Sequence, residues 1–309
     1  MRLRIVSLLP SATEIACALG AGAHLVGVSH ECDFPDAVRG LPVVTASRVG
    51  NDASSRDIDT AVRGLVEGAL SIYSVDHEQL AALAPDLILT QDLCRVCAVS
   101  LDDVKSAVAR LAGRADVRIV SLQPTRLGDV LQDIETVAAS FGRPERGREV
   151  RHELELRIAE ISKRAHKART RPRVASIEWL DPLMLGGTWM PELIELAGGE
   201  ALAAAPGDPA PTLSLEAFAA LAPEVVVVKP CGFDLERTLR ERDLIESSVR
   251  RSVGAEVPLY VTDGNAFFNR PGPRLVESLE ILAACVHPEL FPDFVLKHRR
   301  VLLRLPSRD

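Results

Sequence analysis

The chain reads as an α/β protein built of two doubly wound α/β lobes joined by one long helix. Three observations predict it. Strands alternate with helices through both halves, one helix-to-strand segment occurs twice, and a charge-rich stretch with helical periodicity and no internal proline separates the halves.

In order, residues 3–9 read as a strand, and Ser11-Ala12-Thr13-Glu14 as a capping box opening a helix that ends at Gly20. Residues 24–28 form the next strand. Residues 76–84 form a short helix stopped by Pro85, and 86–90 a strand running straight into Asp92-Leu93-Cys94-Arg95-Val96-Cys97. A helix at 101–112, a strand at 117–122 and a helix at 127–141 complete the first lobe, residues 1–143. In 144–171, Val150, Leu154, Ile158, Ile161, Ala165 and Ala168 step by three or four and make one apolar stripe, so this segment is the connecting helix, ended by Pro172. Residues 172–309 are the second lobe.

The second lobe repeats the first. Glu78-Gln-Leu-Ala-Ala-Leu-Ala-Pro-Asp-Leu-Ile-Leu corresponds to Glu216-Ala-Phe-Ala-Ala-Leu-Ala-Pro-Glu-Val-Val-Val at an offset of 216 − 78 = 138. The first helix corresponds to 192–198 at an offset of 192 − 14 = 178. The difference, 178 − 138 = 40, measures the extra chain in the first lobe, most of it in 41–73.

The 309 residues are 47% apolar with a formal charge of −7, which excludes a disordered chain, and the scattered basic residues make no nucleic-acid footprint. No apolar run approaches the roughly 20 residues of a membrane span. Met1 leads directly into the first strand without an apolar leader, so the chain reads as cytoplasmic with reduced thiols, or as periplasmic or otherwise extracytoplasmic if it is a trimmed mature form.

Four of the six cysteines, Cys32, Cys94, Cys97 and Cys231, fall just after predicted strands, where α/β folds place their ligands. With His30 they make a candidate soft-donor centre for zinc or an iron–sulfur cluster. Cys17 and Cys285 lie on apolar helix faces and read as core fillers, and His77, His152, His166, His287 and His298 as surface or helix residues. A Gly-rich phosphate loop, a Gly-x-Ser-x-Gly elbow and a His-Glu-x-x-His helix are all missing from the sequence, so a binding protein is favoured over an enzyme. A cytosolic metalloprotein or enzyme on the same scaffold, with a Cys/His-ligated centre, stays open as the alternative.

Ser7-Leu-Leu-Pro-Ser-Ala-Thr-Glu14, Val26-Gly-Val-Ser-His-Glu-Cys-Asp-Phe-Pro35, Gly187-Thr-Trp-Met-Pro-Glu-Leu193 and Asn265-Ala-Phe-Phe-Asn-Arg-Pro-Gly-Pro-Arg274 carry a resemblance that covers essentially the whole chain. They resemble the helical-backbone binding proteins of metal-chelate ABC importers, in particular the cobalamin (vitamin B12)-binding branch of that periplasmic binding protein family. The resemblance implies a corrinoid or other metal chelate as ligand, a cleft between the lobes that holds it, and an ABC permease as partner. It implies ligand contacts from His30, Glu31, Asp33 and Phe34 in the first lobe, and from Glu178, Trp179, Trp189, Phe267, Phe268, Asn269 and Arg270 in the second. Glu78 and Glu216 match the acidic pair with which such proteins meet the permease.

Overall fold

The computed structural model describes residues 3–50, 52–67, 73–91 and 117–307. The chain divides into two compact units. One comprises Met1–Ala53, Asp57–Pro124 and Gly128–Glu153, the other Ser54–Arg56, Thr125–Leu127 and Leu154–Asp309.

In the first unit, strands β1 (Ile5–Ser7), β2 (Leu25–Val28), β5 (Leu87–Gln91) and β6 (Arg118–Leu122) form a parallel sheet in the order β2-β1-β5-β6. Both β1 and β5 are buried along their whole length, as strands of a parallel sheet covered on two faces must be. The extra chain of this unit contributes a separate antiparallel pair, β3 (Thr45–Ser47) with β4 (Tyr73–Val75), in which Ser47 faces Tyr73. In the second unit, β7 (Arg173–Trp179), β10 (Val225–Val228) and β11 (Leu259–Thr262) are the parallel centre of a mixed sheet, β12-β11-β10-β7-β8. Here β12 (Leu302–Leu305) and β8 (Met184–Leu185) close the two edges antiparallel, and β9 (Glu200–Ala201) pairs with β7. Antiparallel edges add to the parallel sheet the sequence predicts, because a strand that need not cross over can return along an edge.

The repeat is visible atom by atom. Asp76 caps the helix His77–Leu83 by accepting from the Gln79 N–H at 2.9 Å, and Ser214, 138 residues on, caps Leu215–Ala220 by accepting from the Ala217 N–H at 3.2 Å. Both helices end in a left-handed alanine before proline, Ala84 at φ 40° and Ala222 at φ 42°. At the following strands the Arg4 N–H donates to the Asp86 carboxylate and the Arg173 N–H to the Glu224 carboxylate, while each acid's own N–H returns to that arginine's carbonyl. Gly20 and Gly198 end the two matching helices at φ 75° and 86°.

Two boundaries differ from expectation. Pro10, lacking an N–H, takes the first position of the helix Pro10–Ala18, so Ser11 lies inside the helix with its hydroxyl buried and unbonded, and no capping box forms. The connecting helix runs Pro144–Ala165 rather than to 171. His166 folds its ring nitrogen back onto the Ser162 carbonyl, and Lys167 and Ala168 tighten into three-residue hydrogen bonds. The boundary between the two units, Glu153 to Leu154, falls inside this helix.

Candidate functional site

Ligands of doubly wound sheets lie beyond the carboxyl ends of the strands, and in each unit that is where the chemistry collects.

In the first unit the turn after β2 presents His30 and Glu31. The Thr45 hydroxyl of β3 lies 2.7 Å from His30 Nδ1, accepts from the His30 backbone N–H at 3.1 Å, and donates to Ser29 Oγ at 3.1 Å. Tyr73 of β4 stacks at 5.1 Å from the imidazole and donates its hydroxyl to the Glu31 carboxylate at 2.8 Å. Desolvation on the packed side of the ring lowers the His30 pKa, and Glu31 works against it. Asp33 accepts from Arg39 through its backbone carbonyl, and Phe34 stands exposed. Cys32 is buried with its sulfur 3.1 Å from Thr13 Oγ1. Sequence reasoning missed Thr45 and Tyr73. The signal was the extra segment itself, whose two ends bracket them.

In the second unit Glu178 closes β7 and Lys229 follows β10. The Lys229 ammonium is fully buried, 2.9 Å from the Glu178 carboxylate and 3.4 Å from Asn269 Oδ1. Asn269 donates its amide to the Gly264 carbonyl at 2.8 Å. A Cβ on Gly264 would meet the Pro230 and Lys229 carbonyls at 2.2 and 2.6 Å, so only glycine lets the loops after β10 and β11 close this tightly. Cys231, half-buried, donates its backbone N–H to the Glu178 carbonyl. The ring of Trp179 packs 5.2 Å from Phe233, over which Arg237 lies at 4.0 Å. Arg270 is buried with Nη2 on Asn265 Oδ1 at 3.2 Å and Asp263 beside it, and burial raises the Asp263 pKa against the hydrogen bond from the Ala266 N–H. Lys229 was also missed, though a lone cation directly after four valines was its mark.

Two residues expected as aromatic contacts, Trp189 and Phe268, are buried. Trp189 is 6% exposed and donates its indole N–H to the Phe268 carbonyl at 2.9 Å, while Phe268, at φ 63°, is fully buried and donates its backbone N–H to Ser278 Oγ at 2.9 Å. An indole with an internal partner for its N–H has no need of the surface. Phe267, half-buried, lies edge-on to His298 at 6.2 Å, with Arg274 over its ring. His287 and His298 are likewise buried rather than superficial. His298 bonds the Glu280 carboxylate, and His287 Nε2 sits in the space left by the missing side chain of Gly198.

Among the described residues no group of three or more His, Cys, Asp and Glu side chains is placed to hold a metal. Cys94 and Cys97 lie outside the described residues. Cys285 is buried and its thiol is pushed far above the ordinary range by desolvation, as a core filler's should be. Glu78 and Glu216 are both exposed, at matching positions in the first turns of the repeated helices. No described helix is long and apolar enough to cross a membrane.

The chain is 26% identical over 283 residues to a vitamin B12-binding protein of Photorhabdus laumondii subsp. laumondii, covering 91% of this chain and 86% of that protein. A vitamin B12-binding protein of Yersinia pestis is 26% identical over 73% of this chain and 69% of its own length. Among solved structures, a periplasmic heme binding protein from Pseudomonas aeruginosa superposes with a TM-score of 0.71 at 21% identity, covering 100% of both chains. The periplasmic vitamin B12 binding protein of Vibrio cholerae does so at 0.61 and 22%, covering 92% of this chain and 96% of the other. These likenesses show the fold. A family model described as periplasmic binding protein matches residues 5–253, spanning the repeated elements, the connecting helix and the strands from β1 to β10, and the chain belongs to that family.

Proposed function

We propose that the chain is the substrate-binding component of an ABC importer for a cobalamin-type metal chelate, acting outside the cytoplasmic membrane. The observation that carries this reading is the match to a vitamin B12-binding protein over 91% of the chain. On this reading the ligand contacts are His30, Glu31, Asp33 and Phe34 at the strand ends of the first unit, and Glu178, Trp179, Phe267, Asn269 and Arg270 at those of the second. Trp189 and Phe268 support the second set from beneath. The exposed Phe34 ring and the Trp179–Phe233 pair suit a flat macrocycle, which buries broad apolar faces. Glu78 and Glu216 are the residues that meet the permease.

Haem is a second reading, and one feature favours it: His30 and Tyr73 set an imidazole and a phenol 5.1 Å apart at one strand end, both of which are axial donors for iron. Titration of the purified protein with cyanocobalamin and, separately, with haemin decides between them. Cyanocobalamin is expected to quench the fluorescence of Trp179 with a Kd at or below about 1 μM. Quenching by haemin with a shifted Soret band, and none by cyanocobalamin, gives the second reading.

A further inference from the structure

Lys229 and Glu178 form a pair whose two ends differ in access: the Lys229 side chain is 0% exposed and that of Glu178 is 26% exposed. A buried ammonium is tolerated only against a carboxylate, so the pair fixes the Glu178 side chain in place, while the Lys229 end lies out of reach of anything arriving from solvent. Lys229 also fixes Asn269 through Oδ1, with the amide nitrogen of Asn269 turned to Gly264. Among the described residues the second carboxylate oxygen of Glu178 has no hydrogen-bond partner, so this strand end offers an acceptor. In the loop after β11, Asp263 is a further acid beside Arg270, whose Nη2 bonds Asn265 Oδ1.

Such a rim treats two kinds of macrocycle differently. A corrin fringed with carboxamides brings N–H donors to Glu178. A macrocycle fringed with carboxylates brings like charge to a carboxylate whose counter-ion is buried, and a site built for a donor rejects an analogue lacking it. We infer that Glu178, pinned by Lys229, is a specificity-determining residue that selects amide-fringed over carboxylate-fringed tetrapyrroles. The inference rests on the corrinoid reading above.

The test compares two corrinoids with the same ring and cobalt, cobinamide with its amide fringe and cobyrinic acid with its carboxylate fringe, alongside haemin, by calorimetric titration of the full chain. Wild type is expected to bind cobinamide at least about tenfold more tightly than cobyrinic acid, and Glu178→Gln to narrow that ratio to about threefold or less. The double variant E178Q/K229M, which removes the carboxylate together with its buried counter-ion, is expected to give the same narrowed ratio should the single variant fold poorly. Equal affinity of wild type for the two corrinoids overturns the inference and leaves the corrinoid reading standing. A full ratio retained in both variants overturns the assignment to Glu178. Binding of haemin with neither corrinoid overturns the corrinoid reading itself.

Discussion

Glu280 lies buried in the helix Leu275–Val286 with nitrogen partners on several sides: His298 Nε2 at 2.8 Å, Arg157 at 3.0 Å and Lys297 at 2.5 Å. Burial alone would raise its pKa, but the three hydrogen bonds outweigh it and bring the group from 4.5 down to about 2. A depressed carboxylate contributes stability that is complete above its unfolded value and is lost as pH falls through the folded one. The chain is therefore expected to lose at most about 3 kcal/mol from this group between roughly pH 4.5 and pH 2. Glu280→Gln should remove that part of the pH slope and lower the melting temperature at pH 7, as scanning calorimetry across the pH range would show. At this scale the sequence is least legible. Trp189 and Lys229 earn their places through partners 79 and 51 residues away, the Phe268 carbonyl and the Glu178 carboxylate, and no local pattern reports such a distance.

Elements were far more legible, because their causes are local. The four-valine run announces a strand buried on both faces, Val225–Val228, and Asp76 announces the N-terminus of His77–Leu83. Where two local rules compete, the reading slips: proline at the first helical position overrides the capping box at Ser11. The antiparallel pair of Thr45–Ser47 with Tyr73–Val75 is illegible for another reason, since its strands are three residues each and lie far apart in the chain. Loop closure between elements also has a testable point. Gly264→Ala drives a methyl into the Pro230 carbonyl and parts the loops that carry Lys229 and Asn269. It is expected to cost about 1–3 kcal/mol in urea unfolding and to weaken ligand binding, whereas Gly40→Ala, with nothing within 4 Å of the added carbon, should do neither.

For the whole molecule, the duplicated frame makes the family readable from one chain. An offset of 138 relates the caps, the left-handed alanines and the strand-entry acids of the two units, and one of 178 the glycines that end their first helices, so Glu78 and Glu216 are equivalent by construction. Reversing both, as Glu78→Lys with Glu216→Lys, is expected to abolish stimulation of a reconstituted permease's ATPase while leaving ligand affinity within about twofold, because neither acid belongs to the strand-end loops. Stimulation at the wild-type level by the double variant would remove the docking role. The burial of Lys229 also governs how the protein answers amine chemistry. Acylating reagents act on accessible amines, so among the described lysines they take Lys163 and Lys167, exposed at the end of the connecting helix and just beyond it, and Lys297, and pass over the sealed amine beneath Glu178. Among the described lysines, coupling to a sensor surface therefore runs through Lys163, Lys167 and Lys297 and leaves the Lys229 amine beneath Glu178 unmodified.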